Sequence, residues 1–190
     1  MTRFFLALAA AFIGGLLGLG LTALSVETPP DFGVVRAGPW MTRPGIGTAQ
    51  ADPYSRALMA ARGILPMGAA EGLMLTASRD SSGAVLAGAC TYRISGPVPG
   101  GGFWTLSAYD GNGRTSHASD LRSGLTSDEA LRFEGEALTI MLSPQAQPGN
   151  WIPVNSSGAF ELILRLYDSQ TSAHAIDASA LPRITREGCP

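Results

Sequence analysis

The chain has 190 residues, a formal net charge of −2, and charged side chains at 15% of positions, where about 25% is typical of soluble domains. All 13 basic residues are arginine, which leaves no lysine for Schiff-base chemistry. The near-neutral balance also lacks the basic footprint that nucleic acid or an acidic lipid surface would require.

From Phe4 to Leu24 the sequence carries no charge and nothing more polar than Thr22. Coiled as a helix the run would be roughly 30 Å long, about the thickness of a bilayer's hydrocarbon core. Two readings stand. A signal anchor would stay in the membrane, and the run is longer than the roughly 7–15 residues of a secretory signal core. A cleaved signal peptide would use the small residues around Ala23-Leu24-Ser25. Under either, Arg3 marks the positive flank, while Glu27 and Asp31 are the first charges beyond the run. The expected orientation is an N-terminus in the cytoplasm and a body exported to the other side of the membrane. Gly14 and Gly18 make a G-x-x-x-G spacing, which in a segment with four glycines arises readily by chance.

The expected organisation is a transmembrane segment over 1–25, a Pro/Gly-rich linker and extended lead-in over 26–51, and a folded domain over 52–190. Asp52-Pro53 opens a helix, with Asp52 as N-cap, Pro53 at the first helical position, Tyr54, Leu58 and Ala61 on one face, and Gly63 as the stop. Strand patterns follow at 73–77, 90–94, 103–109 and 138–142. The longest covers 160–167, with Phe160, Leu162, Leu164 and Leu166 on one face. Asp110-Gly111-Asn112-Gly113 reads as a turn; Arg114 stands where a calcium loop would need an oxygen ligand. The fold class expected is mainly β, an antiparallel β-sandwich or jelly roll with one short soluble helix behind a single transmembrane helix.

Cys90 and Cys189 are an even pair, which in an oxidising compartment is a disulfide candidate and would tie the penultimate residue to the body. The alternative is two unrelated thiols. Catalytic signatures are missing. There is no G-x-S-x-G elbow and no H-E-x-x-H helix, and His117 and His174 sit alone in polar stretches. Asp128, Glu129, Glu134 and Glu136 read as a solvated acidic edge. The chain therefore leans away from being an enzyme, and no cofactor or metal is expected. Trp40, Trp104 and Trp151 each stand beside glycine or proline. Such tryptophans either plug the open end of a sandwich core or line a shallow ligand site.

Several segments together carry a resemblance: Gly38-Pro39-Trp40, Asp52-Pro53-Tyr54 with Arg56-Ala57, Phe103-Trp104-Thr105-Leu106 with Tyr109-Asp110, Pro148-Gly149-Asn150-Trp151-Ile152-Pro153, and Leu164-Arg165-Leu166-Tyr167. From about Gly38 to Asp168 the chain resembles the domain-of-unknown-function family 1214 (DUF1214), in particular its short, stand-alone, membrane-anchored members. The resemblance implies a bacterial, mostly β domain that often accompanies a family 1254 domain, and so a protein partner of that kind. It carries no reaction and no catalytic residues. Trp40, Trp104, Tyr109, Asn150 and Trp151 are the candidate ligand or partner surface. Asn150 would satisfy backbone groups of its turn, and Arg165 would lie on an outer face or reach a carboxylate such as Asp168. The function expected is non-catalytic binding of a partner protein. The rival readings are an envelope carbohydrate- or lipid-binding module and a hydrolase subunit completed by its partner, and a homo-oligomer remains open.

Overall fold

The computed structural model describes residues 2–27, 33–63, 65–68, 70–99, 102–116, 122–135, 137–168 and 176–190. Helix α1 (Thr2–Glu27) is exposed along nearly all of its length, and over Thr2–Val26 it is long and apolar enough to cross a membrane. The two hydroxyl side chains in its last two turns are satisfied within the helix: Thr22 donates to the Gly18 carbonyl and Ser25 to that of Leu21, each at 2.8 Å.

Helix α2 (Pro53–Arg62) forms where its caps dictate. The Asp52 carboxylate accepts from the amides of Tyr54 and Ser55 at 2.9 and 3.0 Å and from the Ser55 hydroxyl at 2.6 Å. These bonds, that of the Ser55 hydroxyl foremost, hold Asp52 below the ordinary carboxylate value of 3.8. Gly63, at φ 62°, takes the left-handed position that closes the helix and returns its N–H to Met59.

Among the described residues the body has ten strands: β1 (Val35–Ala37), β2 (Trp40–Thr42), β3 (Gly72–Ala77), β4 (Thr91–Ser95), β5 (Trp104–Asp110), β6 (Gly124–Thr126), β7 (Thr139–Ser143), β8 (Trp151–Pro153), β9 (Phe160–Tyr167) and β10 (Arg183–Gly188). They make a six-stranded sheet in the order β1-β2-β3-β9-β5-β6 and a four-stranded sheet in the order β10-β4-β7-β8. All pairings are antiparallel except β7 with β8, which is parallel. The period-2 alternation sends Leu73, Leu75, Leu106, Leu162, Leu164 and Leu166 inward from the larger sheet. Tyr92, Ile94, Ile140, Leu142, Ile152 and Ile184 come from the smaller, and the two sets form one core. The expected mainly β architecture is present. The sheet reaches into the stretch read as a lead-in, because the β1–β2 hairpin pairs with β3 and puts Ala37 and Trp40 in the core.

The last strand is the most heavily secured. Cys90 and Cys189 are joined by a disulfide. Ser81 mimics a neighbouring strand, its amide donating to the Ile184 carbonyl at 2.8 Å while the Ile184 amide donates to the Ser81 hydroxyl at 2.9 Å. Arg93 pairs with Glu187 at 2.7 Å, and Arg186 reaches the buried Asp80 carboxylate at 3.3 Å.

Candidate functional site

Two depressions bring chemically distinct side chains together, one between the sheets and one outside them. Their separation follows from β5. Trp104 and Tyr109 lie an odd number of residues apart on the same strand, so they face opposite sides of the six-stranded sheet.

The first is a cavity of about 890 Å3 at the end of the sandwich, where β4 ends, β5 begins, β6 ends and β7 begins. Gly96, Pro97, Val98, Phe103, Trp104 and Leu138 give it an apolar wall, and Ser127, Asp128 and Arg132 stand at its edge. The Trp104 backbone is anchored by the Ser127 amide, which donates to its carbonyl at 2.9 Å. Its side chain is 3% exposed, and Nε1 is sealed from water with no acceptor among the described residues. Phe103, in contrast, is 42% exposed and rests against Tyr167, with ring centroids 5.4 Å apart.

The second is a trough of about 790 Å3 on the outer face of the larger sheet, bordered by the end of α2. Its floor is Tyr109, Glu161, Ile163 and Arg165, which follow from cross-strand pairing of β5 and β9; exposed Leu65 and Val85 rim it. At one end is the Asp110 turn, whose carboxylate accepts from the amides of Asn112 and Arg114 at 2.9 Å each. The Arg114 amide above all holds Asp110 below 3.8. Arg165 lies on the outer face, half-buried, and makes no hydrogen bond or ion pair among the described residues, Asp168 included.

The other sequence candidates are placed as follows. Trp40 is fully buried in β2 and donates its Nε1–H to the Pro182 carbonyl at 2.7 Å. Asn150 is a brace. Its Oδ1 accepts from the Leu131 amide at 2.7 Å, and its Nδ2 donates to the carbonyls of Leu131 at 2.8 Å and Thr139 at 3.0 Å. Trp151 is half-buried and donates to the Ser143 carbonyl at 3.0 Å. Trp104 thus lines the cavity and Tyr109 the trough, while Trp40 presents no surface. His117, His174 and Glu136 lie outside the described residues. Glu129 accepts from the amide and hydroxyl of Thr126 at 3.2 and 3.0 Å, capping the turn after β6. Among the described residues no group of three His, Cys, Asp or Glu could hold a metal. Arg132 is the site residue that pattern reading passed over, whereas Arg165 was expected on an outer face. The one signal for Arg132 was its neighbour Phe133, an aromatic amid charges.

These features define a class: a two-sheet, disulfide-closed β domain behind an apolar N-terminal helix, with no catalytic constellation among the described residues. Its family can be given directly. The model of the DUF1214 family, proteins of unknown function, matches residues 71–171, and the chain belongs to that family. Among solved structures the chain is similar to the VPA0106 protein of Vibrio parahaemolyticus, with 22% identity and a TM-score of 0.56 over 73% of this chain and 36% of that one. It is also similar to an uncharacterised protein of Burkholderia cenocepacia, with 18% identity and a TM-score of 0.46 over 65% of this chain and 31% of that one. The chain therefore spans about a third of the length of those two proteins. No curated protein matches it.

Proposed function

We propose that this protein is a membrane-tethered interaction module working on the periplasmic side of a bacterial inner membrane, with the outer-face trough as the docking surface for a partner protein. The observation that carries the reading is Arg165, a half-buried cation with no hydrogen bond or ion pair among the described residues, set between Tyr109 and apolar flanks. Interfaces are enriched in Arg and Tyr at their centres, and a guanidinium held in place by a strand reaches a partner carboxylate at low entropic cost. Leu65 at 86% and Val85 at 47% exposure supply apolar area beside it. The tether is α1, and the Cys90–Cys189 bridge supports an oxidising compartment. Arg3 ahead of the apolar run supports a cytoplasmic N-terminus. A family 1254 domain is the partner to which the resemblance points. In the Vibrio protein the matched fold occupies 36% of the chain, an arrangement that leaves room for a neighbouring domain.

The test places a photo-crosslinking amino acid at Val85 in the full chain, co-expressed with a family 1254 protein encoded nearby. An adduct with that protein, weakened by Arg165→Glu in a variant that melts normally, is expected. No adduct and no co-purification after mild solubilisation would overturn the docking reading. Protease added to spheroplasts should digest the body while α1 remains in carbonate-washed membranes; a protected body would overturn the topology.

A further inference from the structure

We propose that the end of the sandwich where β3 and β5 begin rests on the bilayer that α1 spans, with Phe103, Leu131 and Phe133 seated among the lipid headgroups. The inference rests on the tethered reading of α1 given above and concerns a different surface from the docking trough. Outside α1, the described residues leave six large apolar side chains exposed: Tyr54, Leu65, Val85, Phe103, Leu131 and Phe133. Three of the six gather at this one end. Phe103 immediately precedes β5 and borders the same depression as Arg132, whose chain neighbours are Leu131 and Phe133. Phe133 is 64% exposed and Leu131 54%. Asn150 holds the Leu131 main chain by two hydrogen bonds, so the loop presents these side chains from a fixed base. Single apolar side chains on a surface call for no explanation, but a cluster at one pole marks a contact.

The strand directions say what that contact is. Pairing of Gly72 with Tyr167 and of Leu166 with Trp104 fixes one end of the larger sheet. β2 is antiparallel to β3 and so runs toward that end; β1 is antiparallel to β2 and runs away from it. The chain arriving from α1 thus enters the body at the end that carries Phe103. Eight residue steps separate Glu27 from Val35, a reach of at most about 28 Å. α1 also lies against α2, and Ser25 and Val26 are its partly covered residues. The segment that leads into α2 is at the same end of the sheet, because Gly47 packs on the Met67 main chain and the Met67 side chain on Gly72. A bilayer held this close to one pole is the surface its apolar side chains meet. The loop's charges set the kind of contact. Asp128, Glu129 and Glu134 outnumber Arg132 there, so burial of apolar area, rather than attraction to anionic headgroups, holds the loop down.

The experiment uses the full chain in phosphatidylcholine nanodiscs, with trifluoromethylphenylalanine in place of Phe133 or, in a second sample, of Val85, which is bridged to Arg79 beyond the far end of β3. A nitroxide-bearing lipid should erase the fluorine resonance at position 133 and spare that at 85, and a soluble nickel chelate should do the reverse. Phe103→Ser combined with Leu131→Ser should restore much of the 133 resonance against the lipid nitroxide while unfolding stays cooperative. Adding phosphatidylglycerol should not deepen the loss. A 133 resonance erased by the nickel chelate and spared by the lipid nitroxide, in chain still held by the nanodisc, would overturn this contact and leave the tether standing. Equal loss at both positions would also overturn it. Chain released from the nanodisc would overturn tether and contact together, and loss at 133 only with anionic lipid would overturn the apolar character of the contact.

Discussion

Asn150 is the side chain whose replacement tests the construction of the domain most sharply. It is 8% exposed and makes three bonds to main-chain groups of the 131–139 segment, two as a donor and one as an acceptor. Asn150→Ala deletes all three and strands the Leu131 amide and two carbonyls. At about 1 kcal/mol per bond the loss is about 3 kcal/mol, or a melting temperature lower by roughly 6–12 °C for a domain of this size. Asn150→Asp is nearly isosteric but puts a carboxylate oxygen against the Leu131 and Thr139 carbonyls, 2.8 and 3.0 Å from the atom it replaces. At neutral pH it should cost more than Ala, about 4 kcal/mol or more. Its sign with pH is also fixed. The folded state favours the protonated acid, so the carboxyl pKa rises above its unfolded value. The deficit is therefore largest at neutral pH and shrinks as pH falls through the raised pKa toward about 4. Urea unfolding of the full chain in mild detergent, followed by tryptophan fluorescence from pH 7 to pH 4, reads both effects. An Asp variant that matches Ala at every pH, or either variant within about 0.5 kcal/mol of the parent, would refute the donor arrangement assigned to the Asn150 amide.

Three further outcomes are expected. Removing the Cys90–Cys189 bridge, by reduction or as the double Cys→Ala variant, frees a loop of 99-residue separation; the chain-entropy value for such a loop is about 4.7 kcal/mol, so the melting temperature should fall by at least about 5 °C, and an unchanged melt with both thiols alkylated in untreated protein would contradict the bridge. A methyl group on Gly88 would press into the Asn155 carbonyl oxygen, whereas one on Gly111 meets open space; Gly88→Ala should cost about 1–3 kcal/mol and Gly111→Ala less than about 0.5 kcal/mol by the same denaturation assay. Burial works to raise the Asp80 carboxyl, but bonds from the Ser82 hydroxyl and the amides of Ala84 and Ser82, with Arg186 nearby, outweigh it and hold the group below 3.8. A depressed carboxyl stabilises the fold above its unfolded pKa, so that contribution should be lost as pH drops below about 3.8, and the acid limb of the stability curve should flatten in Asp80→Asn.

The parts of the fold that could be read in the sequence are those with a local cause. Asp52, Pro53 and Gly63 specify α2 to the residue because capping chemistry is contained within one turn. The alternation over 160–167 gives β9 and its inward leucines because one face of that strand is buried along its length. The strands that escaped are three residues long or lie at an edge: β1, β2, β6, β8 and β10. Four of them are too short to display a period, and β10 buries only Ile184, so it shows no alternation. Trp40 shows the same divide. Its Gly-Pro setting signalled a fixed position, but its bond to Pro182 spans 142 residues and leaves no local trace. The cavity was half legible: Trp104 stood out as an aromatic beside glycine, while Arg132 comes to it through the pairing of β5 with β6 and the hold of Asn150 on Leu131.

Strand β10 brings Ile184 to the core, and the residues that flank it bond elsewhere: the Pro182 carbonyl accepts from Trp40 and Cys189 is bridged to Cys90. These contacts span 142 and 99 residues of sequence, so the core closes only when segments far apart along the polypeptide meet. Such non-local closure makes for slow folding, and the bridge acts as a seal on a topology that must first assemble.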